Sequence, residues 1–515
     1  MPRPQEVETQ LQGQDRVDKT VAAVVEASVD PDVGSLSTSR RIATATLIRA
    51  VGEIVAKAAS VALFIAIARE LGESGFGDFI FGLSLSSVLF TAAGFGTEEL
   101  IARNVARDRE QIHHLYGNVV AVKSLTLVAL LGVMAVIVYA GGYSAGTQTA
   151  VMLIALGVAF EVLGKTLHAI FQAHERMQFI AGSLIIQRTA VAGAGIAVLL
   201  AGGGLVEVSI VFCLGGLLGL LSSLVWMYRF VVRPRVEVDR SRWVALVRAG
   251  LPLGVAVTLY FALLKLDATL LSFLTAGDNA EVGQYGAAYR LIEATMFVSW
   301  AFGGAITPWL SRHGADATVS LTRGYELGLK ALVAMLLPIA AFFAVYAEPL
   351  IDLLYGSVYA DAVTPLRLLA GMTVLFGINT FLAILMISRD QPGEFTRAAA
   401  VVIVQNVTFN FILIPPLGAE GAALNAIISG ALLAGWTLRR ARRLFGAIAL
   451  THVIAAPALA SAALIALALA TGTALTVVSV GAAVAVYLLT LLVLERVIFP
   501  DDFGFYAELV PARRH

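Results

Sequence analysis

Residues 248–291, RAGLPLGVAVTLYFALLKLDATLLSFLTAGDNAEVGQYGAAYRL, decide how this chain is read. They open with an apolar segment of membrane length that carries Lys265 and Asp267 inside it. A short polar hairpin at 277–283 follows, and the next apolar segment starts at Val282-Gly-Gln-Tyr-Gly-Ala-Ala-Tyr. The same plan occurs earlier: residues 49–83 bear Glu53 and Lys57 in an apolar segment, turn at 72–75 and resume at Gly75-Phe-Gly-Asp-Phe. Two copies of one helical unit, each with ionisable groups at a depth that lipid rejects, predict two halves enclosing a polar space.

The rest of the composition fits a membrane solvent. Of 515 residues, 58% are hydrophobic and 14% charged, against about 45–50% and about 25% in soluble domains. A chain of mean hydropathy +0.83 cannot clothe itself in polar surface, so the bilayer must surround it. Cys213 is the only cysteine, which excludes an intramolecular disulfide or a thiolate metal cluster and leaves it a packing role. Residues 1–39 are polar, lean acidic and lack periodicity, and so predict a disordered cytosolic tail. They carry no basic-then-apolar leader pattern, which predicts that the first apolar segment is a retained span.

Apolar runs of roughly 18–27 residues place fourteen spans. They lie near 43–68, 76–97, 115–140, 147–171, 179–201, 205–229, 246–274, 283–310, 325–346, 363–387, 396–414, 418–438, 452–471 and 474–495. Backbone groups in hydrocarbon must be satisfied within the segment, so the spans are helices. The even-numbered loops hold the basic residues, among them Arg103, Arg107 and Arg109 in the second and six arginines from Arg229 to Arg248 in the sixth. Of the odd loops only the first has one, Arg69. By the positive-inside rule both termini are cytoplasmic. The connection 346–365 is acidic and amphipathic, and predicts a short helix at the outer interface.

The halves also match further along. Gly117 to Lys123 repeats the spacing of Gly324 to Lys330, and Gln187 answers Gln405. The expected fold is an all-α integral membrane protein with two six-helix lobes, 40–232 and 233–444, around a central cavity. The pair of spans in 445–515 has no charge until Glu495 and reads as a lipid-facing addition.

Charge at the bilayer centre costs on the order of 2.5–3.5 kcal/mol on insertion scales, so it faces a cavity or a partner. Arg49, Glu53 and Lys57 form one stripe on the first span, and Glu161, Lys165 and His168 another on the fourth. Lys123, Arg188, Lys265, Asp267, Arg290, Glu293, Lys330 and Arg367 add to these, with the amides Gln187, Gln405, Asn406, Asn410 and Asn425. The plainer reading is that Arg49, Lys123, Arg290, Lys330 and Arg367 snorkel to headgroups, and that Glu53 with Lys57, Glu161 with Lys165 and Arg290 with Glu293 neutralise each other. Cations outnumber anions among the deep groups, which suits a phosphate or diphosphate. The chain holds no phosphate-binding Gly-rich loop, no His-Glu-x-x-His and no metal-spaced Cys/His set, so neither nucleotide nor metal nor other cofactor is expected. Nothing in it points to nucleic acid. His113-His114 in the second loop reads as solvated.

At these residues the chain resembles a known family. Ala68-Arg-Glu-Leu-Gly-Glu-Ser-Gly-Phe-Gly-Asp-Phe, Leu266-Asp267 followed by Val282-Gly-Gln-Tyr-Gly-Ala-Ala-Tyr-Arg-Leu, Pro349-Leu-Ile-Asp-Leu-Leu-Tyr-Gly and Pro416-Leu-Gly-Ala-Glu-Gly-Ala-Ala look like the polysaccharide biosynthesis/export family of lipid-linked oligosaccharide flippases, in the multidrug/oligosaccharidyl-lipid/polysaccharide exporter superfamily. The resemblance covers about residues 42–495. It implies a fourteen-helix, two-lobed carrier that moves an undecaprenyl-diphosphate-linked glycan across the bacterial plasma membrane by alternating access, with a glycan polymerase as a partner. Lys57, Lys165, Arg188 and Lys265 are then the expected headgroup contacts, with Arg49, Lys123 and Arg290 beside them. Glu53, Asp267 and Glu161 are expected to couple an ion or to hold those cations. A multidrug or lipid II exporter of the same superfamily is the nearest alternative. A membrane glycan polymerase or ligase would need a large outer loop with catalytic Arg, His or carboxylates, and these outer loops are short and nearly free of Arg and His.

Overall fold

The computed structural model describes residues 31–275, 279–312, 318–387, 392–446 and 449–500. Among them there is no strand, and thirteen α-helices follow one another. In the first half these are α1 (Pro31–Thr91), α2 (Thr97–Arg107), α3 (Gln111–Ala140), α4 (Ala145–Ala173), α5 (Met177–Leu200) and α6 (Leu205–Trp226). The second half has α7 (Trp243–Leu274), α8 (Ala280–Arg312), α9 (Thr318–Tyr355), α10 (Val363–Ile387) and α11 (Pro392–Phe445), and then come α12 (Leu450–Thr471) and α13 (Val477–Ile498).

All fourteen expected spans fall on these helices, because two helices carry two spans each. α1 breaks at Gly72 (φ 68°, ψ −175°) and α11 at Gly418 (φ 53°, ψ −129°). Both are conformations that glycine reaches without penalty and a side chain would resist. Among the described residues ten helices are long and apolar enough to cross a membrane, α1 and α11 counting once each. The chain is a multi-pass membrane protein. Of the expected tail, residues 1–30 lie outside the described residues, and α1 opens at Pro31.

Packing follows the repeat. α1 lies on α4 and α5, and α6 lies on α4 and α5, which closes the first lobe. α10 lies on α8, α9 and α11, and α11 lies on α7, which closes the second. The lobes meet where α1 runs along α7 and α8, the two copies of the unit read from the sequence. At the end away from the basic loops the backbones touch. A Cβ on Gly77 would sit 1.7 Å from the Asn279 carbonyl oxygen, and one on Gly283 would sit 2.1 Å from that of Glu73. The glycines of the two repeated motifs therefore make the contact at this end, while Gly96 packs as closely on Gly250 and Gly254 at the other. Polar groups reinforce it: Arg69 donates to the carbonyls of Leu353 and Leu354, and Asn279 Nδ2 donates to Asp78 Oδ1 at 2.5 Å. The Tyr359 hydroxyl, on the short helix at 357–362 of the expected outer connection, donates to the Ala68 carbonyl at 3.1 Å.

The linker between the lobes is extended over residues 232–239 and lies across the start of α3. Asn118 Oδ1 accepts from the Asp239 amide at 2.8 Å and from Trp243 Nε1 at 3.1 Å. His113 Nδ1 accepts from the Arg235 amide at 3.0 Å, and His114 lies 3.0 Å from Glu237. The histidine pair thus pins the linker while staying partly solvated. Hydrogen bonds from Ser241 and the nearby Arg242 hold the Asp239 carboxyl below the usual carboxylate range. Gly117 permits the approach, since a Cβ there would fall 2.5 Å from the Glu237 carbonyl oxygen.

The last two helices are more than a lipid-facing addition. α13 does expose Val477, Leu489, Val493 and Val497, but α12 packs on α9. Glu495, the first charge in the pair, lies 2.6 Å from buried Lys330 on α9, and the Tyr487 hydroxyl donates to the Ala334 carbonyl.

Candidate functional site

Lys265 and Arg290 of the quoted stretch converge on Glu293 where the lobes meet. Arg290 and Glu293 lie three residues apart on α8 and so share one face. Arg290 Nη1 bonds one Glu293 oxygen, and Lys265 Nζ, from the facing α7, donates to the other at 2.6 Å. Two cations thus share one carboxylate. Aromatic rings floor them: Lys265 lies 4.8 Å from the Tyr289 ring centre and Arg290 4.2 Å from that of Phe64 on α1. Lys57 sits 4.9 Å from the Trp300 ring and 5.6 Å from Phe297, and its charge reaches Glu293. Ring faces favour cations. A small cavity lined by Ile80 and Ser84 of α1 and by Lys265, Tyr289 and Arg290 opens beside the group.

Asp267, two residues from Lys265, points to a different face. Its Oδ1 accepts from Asn406 Nδ2 at 3.0 Å and Asn410 Nδ2 at 2.8 Å, both on α11. Asn406 also donates to Ser429, and Gln405 to Asn425, so four of the five amides singled out in the sequence, all but Gln187, form one network around this carboxylate. Among the described residues no cation pairs with Asp267.

The remaining candidates lie elsewhere. Lys123 is fully buried and donates to Glu98 at 2.6 Å and Thr166 at 2.9 Å. Arg188 pairs with Glu161 at 3.1 Å, and Gln187 donates to the other oxygen of that carboxylate, so Glu161 is neutralised across two helices and not by Lys165 on its own. His168 bonds Ser183 at 2.9 Å. Arg367 lies 3.9 Å from Glu348 at the surface. The side chains of Arg49 and Glu53 lie outside the described residues. Of the seven expected binding residues, Lys57, Lys265 and Arg290 gather, while Lys123 and Lys165 lie nearer the basic-loop end of the first lobe.

Lys165 lines a second cavity of about 190 Å³ between the lobes, with Phe90, Thr91, Glu98, Glu99 and Phe261. Glu98 and Glu99 are residues the sequence reading missed. They lie just past a span end, where two acids look like solvated loop; the signal was their position at the first turn of α2, where acids suit the helix dipole. Burial, with Glu98 alongside, raises the Glu99 carboxyl above its ordinary value, and Lys123 and Lys165 pull it back.

The model of the family described as polysaccharide biosynthesis protein matches residues 42–313. The chain is 25% identical over 378 residues to a probable low-salt glycan biosynthesis flippase, Agl15, of Haloferax volcanii, covering 71% of this chain and 76% of that one. Its fold is that of the lipid II flippase MurJ in an inward closed conformation, with a TM-score of 0.69 at 12% identity over 89% of this chain and all of that one. It is also similar to an inward-facing multidrug resistance MATE transporter of the MOP superfamily, with a TM-score of 0.60 at 15% identity over 78% of this chain and all of that one.

Proposed function

We propose that this chain, which belongs to the polysaccharide biosynthesis protein family, is a flippase for a polyprenyl-diphosphate-linked oligosaccharide. The observation that carries the reading is the sharing of Glu293 by Lys265 and Arg290. Two cations on one carboxylate leave positive charge in excess, and an uncompensated charge away from water is costly until an anion joins it. A diphosphate matches that excess: Arg290 offers a planar fork and Lys265 a point charge. The polyprenyl tail stays in lipid beside the α1–α8 contact. An organic-cation exporter is disfavoured by the same excess of positive charge.

In this reading residues 40–232 and 233–444 move against each other, and the glycan passes from the cytoplasmic to the outer leaflet by alternating access. The basic loops face the cytoplasm, with both termini. Asp267 is the coupling group: amides hold its carboxylate without neutralising it, so a small cation or a proton can come and go. Glu161, tied to Arg188 and Gln187, holds structure. The test is transport of a labelled lipid-linked sugar across proteoliposomes. Movement by the wild type that falls at least tenfold in Lys265→Ala supports the reading; equal rates in protein-containing and empty vesicles would end it.

A further inference from the structure

We infer that the cavity of Glu98, Glu99, Lys165 and Phe261 is a separate subsite for the sugar next to the diphosphate, with Glu99 setting which sugar is accepted. This rests on the diphosphate reading of the Lys265–Arg290 cluster and extends it. Three observations carry it. The first is alignment. Ser84 of α1 lines the small cavity at the cations and Thr91 lines this one, while on α7 Lys265 and Leu264 line the former and Phe261 and Gly254 the latter. Seven helical residues at 1.5 Å each separate Ser84 from Thr91, so the two spaces follow one another along the same two helices at about 10 Å. That is the offset between a diphosphate and the ring or two attached to it.

The second observation is open chemistry. Lys165 makes no ion pair or hydrogen bond among the described residues, and the Glu99 carboxylate accepts from its own backbone amide but from no neighbouring side chain. Glu98 is already committed to Lys123. An acceptor and a donor that bond no other side chain, in a space reached from both lobes, match the hydroxyl and amide groups of a sugar, which present both kinds of partner. A carboxylate accepts such hydrogen bonds at roughly twice the strength of a neutral acceptor. The third is shape. Phe90 and Phe261 supply an apolar wall to a cavity of about 190 Å³, with polar groups on the remaining sides. Charge is balanced here, with two lysines and two glutamates, so a second phosphate gains nothing from it.

The experiment uses the full chain in nanodiscs with two probes, undecaprenyl diphosphate and undecaprenyl-diphosphate-N-acetylglucosamine. The wild type is expected to bind the sugar-bearing probe more tightly. Glu99→Ala and Phe261→Ala should each remove most of that advantage, about tenfold, and leave the bare diphosphate probe unchanged, with Glu99→Gln as the form least able to disturb folding. Lys265→Ala should weaken both probes equally. Equal binding of the two probes by the wild type, or a Glu99→Gln variant that keeps the full advantage for the sugar, would overturn the subsite while leaving the diphosphate reading standing. Lys265→Ala without effect on either probe would overturn that reading instead.

Discussion

Lys123 in the first lobe and Lys265 in the second are both buried lysines with a carboxylate oxygen at 2.6 Å, yet the two arrangements differ in kind. Glu98 serves Lys123 alone, and Thr166 takes a further proton of the ammonium, so that pair is closed. Glu293 serves Lys265 and Arg290 together, and on the proposed function that sharing leaves the cluster open to an anion. Distance cannot distinguish structure from function here. In the proposed reading the charge balance within contact range does.

The sharpest way to break the comparison is Lys123→Ala. Removing one partner of a buried pair strands the other, at about 3–5 kcal/mol. Thermal unfolding in detergent should show that loss, and Glu98→Gln added to Lys123→Met should restore most of it. Lys265→Ala should behave oppositely: Arg290 still neutralises Glu293, the melting temperature holds, and transport falls about tenfold, ~1.4 kcal/mol. If both variants lose stability alike, the open cluster is merely another structural pair. Asp267→Asn should leave lipid binding intact and remove the dependence of transport on the driving ion, a coupling of about 1–3 kcal/mol. The smallest effect is expected of Asn118→Ala, which frees the linker from two hydrogen bonds at about 1 kcal/mol each; trypsin should then cut faster after Arg233 and Arg235.

Span lengths were legible because hydrocarbon thickness imposes them on any helix. The contact between the lobes was legible too: Gly77 and Gly283 stand in the two motifs whose similarity first marked the repeat. Partners were not. Helical spacing correctly joined Arg290 to Glu293 three residues on, but it says nothing of Lys265, which reaches Glu293 from another helix. It also suggested Glu161 with Lys165, whereas Arg188, 27 residues away, takes that carboxylate. Lys330 finds Glu495 at a separation of 165 residues, and this made the last helix pair look unanchored. Periodicity fixes which face a side chain is on; only packing decides what that face meets.

Excess positive charge around Glu293 is measured directly by the sign of a mutational effect. Affinity for undecaprenyl diphosphate, with no sugar attached, should be measured for the full chain in nanodiscs carrying Glu293→Gln or Lys265→Ala. Deleting the carboxylate charge should tighten binding and deleting the lysine should weaken it by tenfold or more. Affinities that move together, or do not move at all, would contradict an anion site at this cluster.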